Sequence, residues 1–598
     1  MTAIRQVLKL LTPAERRRGF FVLLAAMAMA VVDTLGVASV MPFLAVLGNP
    51  DIIGSNAWLV EFYRLGGFAN RDEFLFALGL IALAVVLTAA LVRAVAQFTI
   101  LHFVNMRRYS LSKRLIAGYL GQPYAFFLDR NSADLSKRAL SDVDIVIDNC
   151  LSPIVQMAAH GLILILLLAL LFAVDSALAG IVLGIIGGFY ATVYFGTTHL
   201  LGRAGRDRNL ANRERFTAAA EAFGGIKEMK LFGREQHFAD RFAEPALRFA
   251  QLKTTADTVT LLPRYLIEAV AFGGALVLAL ILIGTRGNLG AVLPILGLYA
   301  FAGYRMLPAA QAIYNGVTRL RFYMPLVNSI LEDMPAVPVG RGEAESGPSL
   351  ALRQGIRFES VGYWYPGAAH PTLRGIDLNI PAGSTTGFVG PTGAGKTTAV
   401  DILLGLLVPS EGQILIDDDP LGEGSRRIWQ RGIGYVPQSI YLADVSVAEN
   451  IAFGLPPAAI NRDAVERAGK IANIHDFVVG ELDEGYDTMI GERGVRLSGG
   501  QRQRIGIARA LYHDPALIVF DEATSALDNA TEAAVMEAIG RLRREKTVII
   551  VAHRLTTVRG CDQIVLMEHG MVKAIGTFDE LTDKSSRFRA IAGKSEKT

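Results

Sequence analysis

The chain has 598 residues, 52% of them hydrophobic, and a mean hydropathy of +0.36. This composition is too apolar for an ordinary soluble enzyme and indicates an integral membrane protein with a soluble part. The net charge of +3 gives no support to a nucleic-acid partner. The two cysteines, Cys150 and Cys561, are too few and too far apart for a disulfide framework or a metal site.

Six apolar stretches are long enough to cross a bilayer, since about 20 helical residues span the hydrocarbon core. They cover residues 19–47, 74–104, 153–174, 177–199, 258–284 and 289–315. Short turns join the third stretch to the fourth and the fifth to the sixth, whereas long polar segments follow the second and the fourth. We therefore predict an α-helical transmembrane domain over residues 1–333, with six spans and long cytoplasmic extensions.

Basic residues lie mainly on one side of these spans. The N-terminus and the two long polar segments are rich in Lys and Arg, while the three short loops carry only Arg64, Arg71 and Arg286. Loops rich in Lys and Arg favour the cytoplasmic side. The sequence therefore predicts a multi-pass protein of the cytoplasmic (inner) membrane, with both termini in the cytoplasm.

The composition changes after the sixth stretch. Residues 334–351 are rich in Pro, Gly and Ser, which is typical of a linker. From residue 352 onward, short β-rich runs alternate with helical patterns, which indicates α/β organisation. We predict one cytoplasmic α/β domain of the P-loop NTPase type over residues 352–598.

A glycine-rich motif, G-P-T-G-A-G-K-T, runs from Gly390 to Thr397 between a strand-like and a helix-like segment. That context is the one in which such a loop binds nucleotide phosphates through backbone N–H groups and a helix N-terminus. Lys396 is expected to reach the β- and γ-phosphates, and Thr397 to ligate Mg²⁺. The other predicted contacts of this loop are Gly390, Thr392, Gly393, Ala394, Gly395 and Thr398.

Two carboxylates follow a second apolar run, ALIVF. Asp521 is suited to hold magnesium, and Glu522 to polarise an attacking water, since phosphoryl transfer depends mainly on positioning and electrostatics. Either carboxylate alone is also compatible with a solvated strand end. The neighbouring phosphate loop favours the catalytic interpretation.

The stretch LSGGQRQRIGIARAL predicts a second anion-binding helix N-terminus. Because one domain already has a complete phosphate loop, a second phosphate clamp is useful chiefly on another copy. With this stretch the whole chain resembles an ATP-binding cassette (ABC) transporter. The resemblance implies ATP and Mg²⁺ as cofactors and two cassettes paired head to tail. The resemblance implies that this second phosphate clamp is formed by Ser498, Gly499, Gly500 and Gln501.

Further roles follow from the resemblance at matching positions. Tyr365 is expected to stack on adenine, Gln438 to link magnesium and water to the membrane interface, and His553 to sense the γ-phosphate beside Glu522. The segment from Ser525 to Asp528 resembles the loop that contacts the other cassette. The expected metal ligands are Thr397, Gln438 and Asp521. Nothing in these motifs is degenerate, so the sequence predicts a homodimer with two competent ATP sites.

One position departs from the pattern of the family. Many exporters have an acidic residue where this chain has Met489, so the coupling role of that residue is not carried over. Six spans fused to a C-terminal cassette resemble a half-transporter of the exporter type. Residues 124–139 and 221–242 resemble the two coupling helices of such proteins, although each is also compatible with an ordinary amphipathic surface helix.

Three arginines lie within the apolar stretches. Counted from the outer ends of their spans, Arg93, Arg264 and Arg305 lie about 28, 30 and 24 Å deep at 1.5 Å per helical residue. They are compatible with snorkelling to the inner headgroups. Alternatively, the copies from two chains form a belt that binds an anionic head such as a pyrophosphate, with Glu268 one turn away holding Arg264 when the cavity is empty.

The same arginines and the N-terminal segment are similar to those of lipid-linked oligosaccharide flippases within the family. Those proteins carry a short helix in the first external loop, and residues 56–65 are compatible with one. Its Trp58, Leu59, Phe62 and Tyr63 are expected to rest on the membrane interface.

The sequence thus predicts an ATP-hydrolysing exporter or flippase that acts as a homodimer on a polyprenyl-pyrophosphate-linked oligosaccharide. An exporter of lipid, glycolipid or hydrophobic drug is the alternative in the same class. A nucleotide-gated channel or regulatory ABC subunit is the alternative from another class, and intact Glu522 and His553 argue against it.

Overall fold

The structure is a computed structural model that describes residues 2–48, 51–286, 289–334, 350, 352–491, 494–522, 545–552 and 554–589. Its contacts divide the chain into two units. The membrane unit comprises Met1–Gln122 and Arg130–Val339, and the cassette unit comprises Pro123–Asp129 and Gly340–Thr598.

Each of the six predicted spans lies within one long helix of the membrane unit. These helices are α2 (Pro13–Gly48), α5 (Arg71–Leu120), α9 (Ser152–Val174), α10 (Ser176–Gly224), α12 (Glu235–Arg286) and α13 (Leu289–Asp333). Helix α5 has 50 residues, or about 75 Å at 1.5 Å per residue, more than twice the thickness of a hydrocarbon core. The predicted extensions beyond the membrane are therefore helical continuations of the spans.

Four helical segments among the described side chains are long and apolar enough to cross a membrane. They are Pro13–Gly48, Arg71–Leu120, Asp134–Val174 and Ser176–Thr197. The fifth and sixth predicted spans include residues 277–296, whose side chains lie outside the description. The turn between α9 and α10 is set by Asp175, whose carboxylate accepts a hydrogen bond from Leu178 N at 3.1 Å and so caps α10.

Shorter helices fill the connections of the chain. They are α1 (Thr2–Lys9), α3 (Ile52–Ser55), α4 (Ala57–Gly66), α6 (Ala125–Leu128), α7 (Ser132–Lys137), α8 (Val143–Val146) and α11 (Ile226–Phe232). Two π-helical turns, Arg138–Asp142 and Ile147–Leu151, lie just before α9.

The predicted helix in the first external loop is present as α4. Asn56 caps it by accepting from the backbone N–H groups of Trp58 and Leu59. Leu59 is buried, and the ring of Tyr63 lies 5.1 Å from that of Phe74 on α5. The prediction that all four apolar side chains face the membrane is therefore wrong, because Leu59 and Tyr63 pack inward while Trp58 is 87% exposed.

The cassette unit contains two sheets. Its strands are β1 (Gly355–Tyr363), β2 (Leu373–Pro381), β3 (Thr385–Val389), β4 (Glu411–Ile416), β5 (Asp419–Pro420), β6 (Ile433–Val436), β7 (Leu517–Asp521), β8 (Thr547–Val551), β9 (Gln563–Glu568) and β10 (Met571–Gly576). One sheet is antiparallel in the order β2-β1-β4-β5, and the other has the order β10-β9-β3-β8-β7-β6. Among the described strands of the larger sheet, only β10 runs antiparallel.

Strands β3, β7 and β8 are buried along their whole length, as expected for parallel strands covered on both faces. Helices pack around the sheets. They are α14 (Lys396–Leu403), α15 (Glu423–Arg431), α16 (Val447–Ile451), α17 (Arg462–Ile471), α18 (His475–Glu481), α19 (Gly499–Leu511), α20 (Leu555–Val558) and α21 (Phe578–Lys584). The predicted fold class, a helical membrane region with an α/β P-loop domain, is confirmed.

Part of the first predicted coupling segment belongs to the cassette unit. Within residues 124–139, only those up to Asp129 join that unit, and the rest remain in the membrane unit. Ala125 packs against the cassette core that contains Phe358 and Tyr363. Helix α6 is thus held by apolar contacts to the cassette of its own chain.

Candidate nucleotide-binding site

The phosphate loop lies where a parallel sheet is expected to bind ligands. It connects the carboxyl end of β3 to α14, and Asp521 ends β7, two strands away in the same sheet. Gly390 and Gly395 have φ of +152° and +96°. A Cβ at Gly390 would lie 2.2 Å from Met567 O, and one at Gly395 2.7 Å from Leu373 Cδ2. Glycine is therefore required at both ends of the loop.

The Lys396 side chain lies inside this loop. Its ammonium donates to the carbonyl oxygens of Gly390 at 2.8 Å and Pro391 at 3.2 Å. Burial lowers the pKa of Lys396, and the nearby Glu522 and Asp521 carboxylates oppose that shift. A cation held in this way can exchange two carbonyl contacts for charge-assisted contacts to phosphate oxygens.

Glu522 lies in a constrained position just after β7. Its φ is +52°, a left-handed conformation that costs a residue other than glycine free energy and is concentrated at functional sites. Gln438 donates from Nε2 to Glu522 Oε2 at 2.7 Å. The structure thus brings together two residues that the sequence predicted to act on the attacking water.

Two neighbours of Asp521 were missed by the sequence reasoning. The hydroxyl of Tyr435 on β6 donates to Asp521 Oδ2 at 3.3 Å. Burial, together with the charge of Asp521, raises the pKa of Asp401 on α14 to about 6. The only sequence signal for Asp401 is one carboxylate within an apolar helical run, which does not reveal what it faces.

Tyr365 lies at the edge of the same site. Its hydroxyl is 3.0 Å from Thr398 Oγ1, and its ring stands at 89° to that of Tyr363 with the centroids 5.0 Å apart. Thr392 and Thr397 are exposed and Ala394 is buried. The Thr397 hydroxyl and the Asp521 carboxylate are oxygen ligands of the kind that Mg²⁺ takes beside nucleotide phosphates. The side-chain set therefore fits MgATP.

The signature stretch begins helix α19, as predicted. Ser498 is the N-cap: its hydroxyl accepts from Gln501 N at 3.2 Å, and Gln501 Oε1 accepts from Ser498 N at 2.7 Å. Apart from its chain neighbours and the backbone of its own helix, no heavy atom of the described residues lies within 4 Å of a Cβ added at Gly499. The helix thus presents an open N-terminus, which suits an anion. Gly500 is the second residue of the helix.

Several predicted residues lie outside the described part of the chain. These are His553 and the segment from Ser525 to Asp528. Their roles remain predictions, as do those of the other site residues.

The three membrane arginines have different surroundings. Arg93 forms an ion pair and hydrogen bond with Asp33, which is 4% exposed on α2. Arg264 donates to Glu268 Oε1 at 2.9 Å, which is the pairing expected from their spacing. The guanidinium of Arg305 lies 5.7 Å from the ring of Tyr304.

A cavity of about 350 Å³ in the membrane unit, the Arg264 cavity, is lined by Arg264 and Glu268 but by neither Arg93 nor Arg305. The Asp33 partner of Arg93 was not foreseen. Within one chain, the contacts of the three arginines do not gather them into one site. The expected belt, which requires a second chain, stays a prediction.

Comparison with known proteins agrees with this architecture. The fold and the phosphate site together define an ATP-hydrolysing membrane transporter with a fused cassette. Family models described as ABC transporter transmembrane region and ABC transporter match residues 20–284 and 373–525. The chain belongs to the ABC transporter family, and its ATP hydrolysis is coupled to transport across the membrane.

Individual relatives carry different names. The chain is 32% identical over 518 residues to an ATP-dependent lipid A-core flippase of Cupriavidus pinatubonensis, with 83% of this chain and 85% of that protein covered. It is 29% identical to a putative multidrug export ATP-binding/permease protein of Bacillus subtilis, covering 78% and 79% of the two chains. The structure of a bacterial Atm1-family ABC exporter with ATP bound has the same fold, with a TM-score of 0.79, 22% identity and coverage of 97% and 98%.

Proposed function

We propose that this exporter is a flippase for a lipid with an anionic phosphate head, in the first place a polyprenyl-pyrophosphate-linked oligosaccharide. The observation that carries the proposal is the Arg264 cavity, where an ion pair lies inside a predicted span. Ionisable residues at membrane depth are costly and mark substrate pathways when they face a cavity. The side chains of Arg264 and Glu268 are 59% and 39% exposed, so both are accessible from the cavity.

Polar groups continue around this cavity. Tyr190 donates from its hydroxyl to Gln311 Oε1 at 2.7 Å, and Gln311 Nε2 donates to Thr260 O at 3.0 Å. Tyr190 and Gln311 line the cavity together with Asn315. Such a lining supports a polar headgroup rather than a purely hydrophobic drug. The guanidinium can exchange Glu268 for two phosphate oxygens in a bidentate contact.

A second candidate substrate is a lipid A-core, because relatives at about one-third identity over most of the chain are named as flippases of that lipid. Both candidates combine a lipid anchor with a sugar-containing head. The alternative exporter of hydrophobic drugs is supported by the name of the Bacillus subtilis relative, but the polar cavity lining does not favour it.

We propose a homodimer in the cytoplasmic membrane, with both termini inside. The phosphate loop and the open N-terminus of α19 are two halves of a site that two cassettes complete by pairing head to tail. The second predicted coupling segment leaves Leu231 and Phe232 of α11 exposed, at 77% and 68%. These apolar side chains support docking of α11 on a second chain.

In this dimer Lys396 would bind the phosphates and Thr397 and Asp521 would hold Mg²⁺, while Gln438 orients Glu522. Bound Mg²⁺ would neutralise charge on the phosphates. Glu522 then accepts a hydrogen bond from the attacking water, and Tyr365 covers the base. The roles of His553 and Asp528 are proposed from the resemblance alone.

The test is flipping of fluorescent polyprenyl-pyrophosphate-linked oligosaccharide in proteoliposomes, with lipid A-core in a parallel assay. Variants are Arg93→Ala/Arg264→Ala/Arg305→Ala and Glu522→Gln, and the matched control is Arg71→Ala at the outer end of α5. We expect the triple variant to lose at least about tenfold in flipping, one good charge-assisted contact being worth 1.5–3 kcal/mol, with its ATPase activity retained. Normal flipping by the triple variant would show that the arginines are membrane anchors. Flipping of lipid A-core alone would replace the preferred substrate.

A further inference from the structure

A second cavity of the membrane unit, about 600 Å³ in volume, lies among the polar extensions of the spans. It is bounded by α10, α12 and α13 and by residues of the π-helical turns. We call it the Arg208 cavity. Four cationic side chains and one carboxylate line it: Arg208, Arg215, Lys253, Arg319 and Asp257. Its charge is therefore strongly positive, although the charge of the whole chain is nearly balanced.

Arg208 is the most buried of these cations, with 4% of its surface exposed. Its guanidinium lies 5.1 Å from the ring centroids of both Phe249 and Tyr323 and donates to Asn209 Oδ1 at 3.0 Å. The buried Asp142 carboxylate acts on Arg208 through space but pairs with Lys137 Nζ at 3.7 Å. No carboxylate within the described ranges forms a salt bridge with Arg208 itself. Burial lowers the pKa of Arg208, which reflects the cost of desolvating the charge. A buried guanidinium normally has an anionic partner.

Two further buried groups in the lining lack a hydrogen-bond partner among the described residues. The Thr318 hydroxyl belongs to a residue that is 1% exposed, and Asn212 Oδ1 to one that is 4% exposed. Both residues line the Arg208 cavity. Since nearly all buried polar groups are satisfied in folded proteins, these orphaned groups indicate a polar occupant.

We propose that the Arg208 cavity binds a multiply charged phosphate group. The guanidinium groups of Arg208 and Arg215, the ammonium of Lys253 and the hydroxyl of Thr318 offer more donors than one carboxylate can accept. A diphosphate supplies enough oxygens for all of them, and arginine forks match its geometry. Arg215 supports the same site, because its guanidinium lies 4.0 Å from the ring of Phe249, which holds it toward the cavity.

The position of the cavity suggests when a phosphate group binds there. Arg319 lines both the Arg208 cavity and the Arg264 cavity, so the two cavities meet at one side chain. Resting on the flippase function proposed above, the Arg208 cavity is a loading site that receives the phosphate head before it reaches Arg264. The same chemistry also fits the headgroup of an anionic bilayer lipid.

Binding of inorganic pyrophosphate by calorimetry tests the site without relying on flipping. The full chain is placed in phosphatidylcholine nanodiscs with Lys396→Ala, which removes phosphate binding by the nucleotide loop. Arg208→Gln and Arg215→Gln are added separately to this background. The matched control is Arg213→Gln, an exposed arginine on the same helix that does not line the cavity. Arg215, which is only half-buried, keeps the test valid if Arg208→Gln fails to fold.

We expect each cavity variant to raise the Kd of pyrophosphate at least about tenfold, and Arg213→Gln to leave it within twofold. Equal affinity in all four proteins, or no binding in any, would overturn the proposal, whatever the flipping assay shows. Repeating the titration in phosphatidylglycerol nanodiscs separates the two sources. If pyrophosphate binds more weakly in phosphatidylglycerol than in phosphatidylcholine, and Arg215→Gln removes this difference, the cavity binds a bilayer lipid headgroup. If the affinity is the same in both lipids, the cavity binds the diphosphate of a transported or soluble molecule.

Discussion

Gln438 Nε2 donates a hydrogen bond to Glu522 Oε2 at 2.7 Å, although 84 positions separate the two residues in the chain. Glu522 adopts a left-handed backbone conformation immediately after β7. The bond therefore fixes the carboxylate at the edge of the sheet that also carries the phosphate loop. Glu522, the group proposed to polarise water, is therefore oriented by Gln438, which lies outside the phosphate loop.

Glu522→Gln keeps the shape of the side chain but removes its negative charge. We expect ATPase activity to fall by about 100-fold or more, the range for loss of a positioned acid–base group, with ATP binding retained. Gln438→Ala is expected to lower activity about tenfold, because Glu522 loses its orienting partner while keeping its charge. Steady-state hydrolysis and nucleotide binding measure both effects.

The control for this pair is Gln413→Ala. Gln413 Nε2 donates to Glu359 Oε2 at 2.9 Å between the two central strands of the other sheet, where the bond is exposed, so the same kind of bond is removed away from the site. If Gln413→Ala and Gln438→Ala have equal effects on hydrolysis, Gln438 does not position Glu522.

Asp401 is expected to make the cassette pH-sensitive in the absence of nucleotide. Burial raises its pKa from 3.8 to about 6, with Asp521 contributing. Between these pH values the folded protein binds a proton that the unfolded chain releases, so stability falls as the pH rises toward 6. Asp401→Asn removes this cost and should raise the apparent Tm by on the order of 5 °C near neutral pH.

The gain from Asp401→Asn should disappear by about pH 4.5, where the folded wild type is protonated. Thermal unfolding of the full chain in detergent, measured across this range, gives the comparison. Asp419→Asn, at an exposed position of β5, is the control. A gain that is equal at all pH values would show that the charge of Asp401 is not the cause.

The ion pair of Asp33 and Arg93 predicts a coupled effect on stability. Asp33→Ala leaves a half-buried guanidinium without its counter-ion, at a cost on the order of 3 kcal/mol. Arg93→Ala leaves the almost fully buried carboxylate unpaired. The double variant should be less destabilised than the two single variants added together. Apparent Tm values of the four proteins measure this coupling.

Thr34→Ala is the neighbouring control, because the Thr34 hydroxyl donates only to Ala30 O of its own helix. Strict additivity of the two single changes would show that Asp33 and Arg93 do not stabilise one another.

The loop, strand end and helix of the candidate nucleotide site were predictable because each is local in the sequence. A glycine loop between strand and helix, carboxylates after a buried strand and a serine-capped helix each carry their own context. The six helices were predictable for the same reason, since span length follows from bilayer thickness. The fold class and the family are confirmed for these physical reasons.

The features that the sequence did not predict depend on contacts between segments that are distant in the chain. Asp33 and Arg93 are 60 positions apart, and each alone is an isolated charge in an apolar run. The Arg208 cavity forms only when three long helices are rotated so that their polar residues face one another, and no local sequence pattern specifies that rotation. Asp401 likewise acquires its raised pKa only after α14 packs beside β7.

Helix α4, in the loop predicted to be external, shows how a tertiary contact selects one face of a helix. Its apolar residues surround the axis, so composition alone does not tell the packed face from the free one. The packed face is set by Phe74, which contacts Tyr63 in a cluster that includes Leu59. Trp58 and Leu65 are left 87% and 74% exposed. We expect Trp58 and Leu65 to enter the membrane interface.

Brominated lipids, which quench tryptophan fluorescence on contact, test this expectation in proteoliposomes. Quenching should be present in the wild type and largely lost in Trp58→Phe. Leu59→Ser should lower the apparent Tm, since exchanging a buried leucine for a small polar residue costs on the order of 3 kcal/mol. Trp58→Ser should leave the Tm unchanged, because its side chain buries little surface within the chain. Equal quenching in wild type and Trp58→Phe, or a larger loss of Tm in Trp58→Ser than in Leu59→Ser, would reverse the assignment of the two faces.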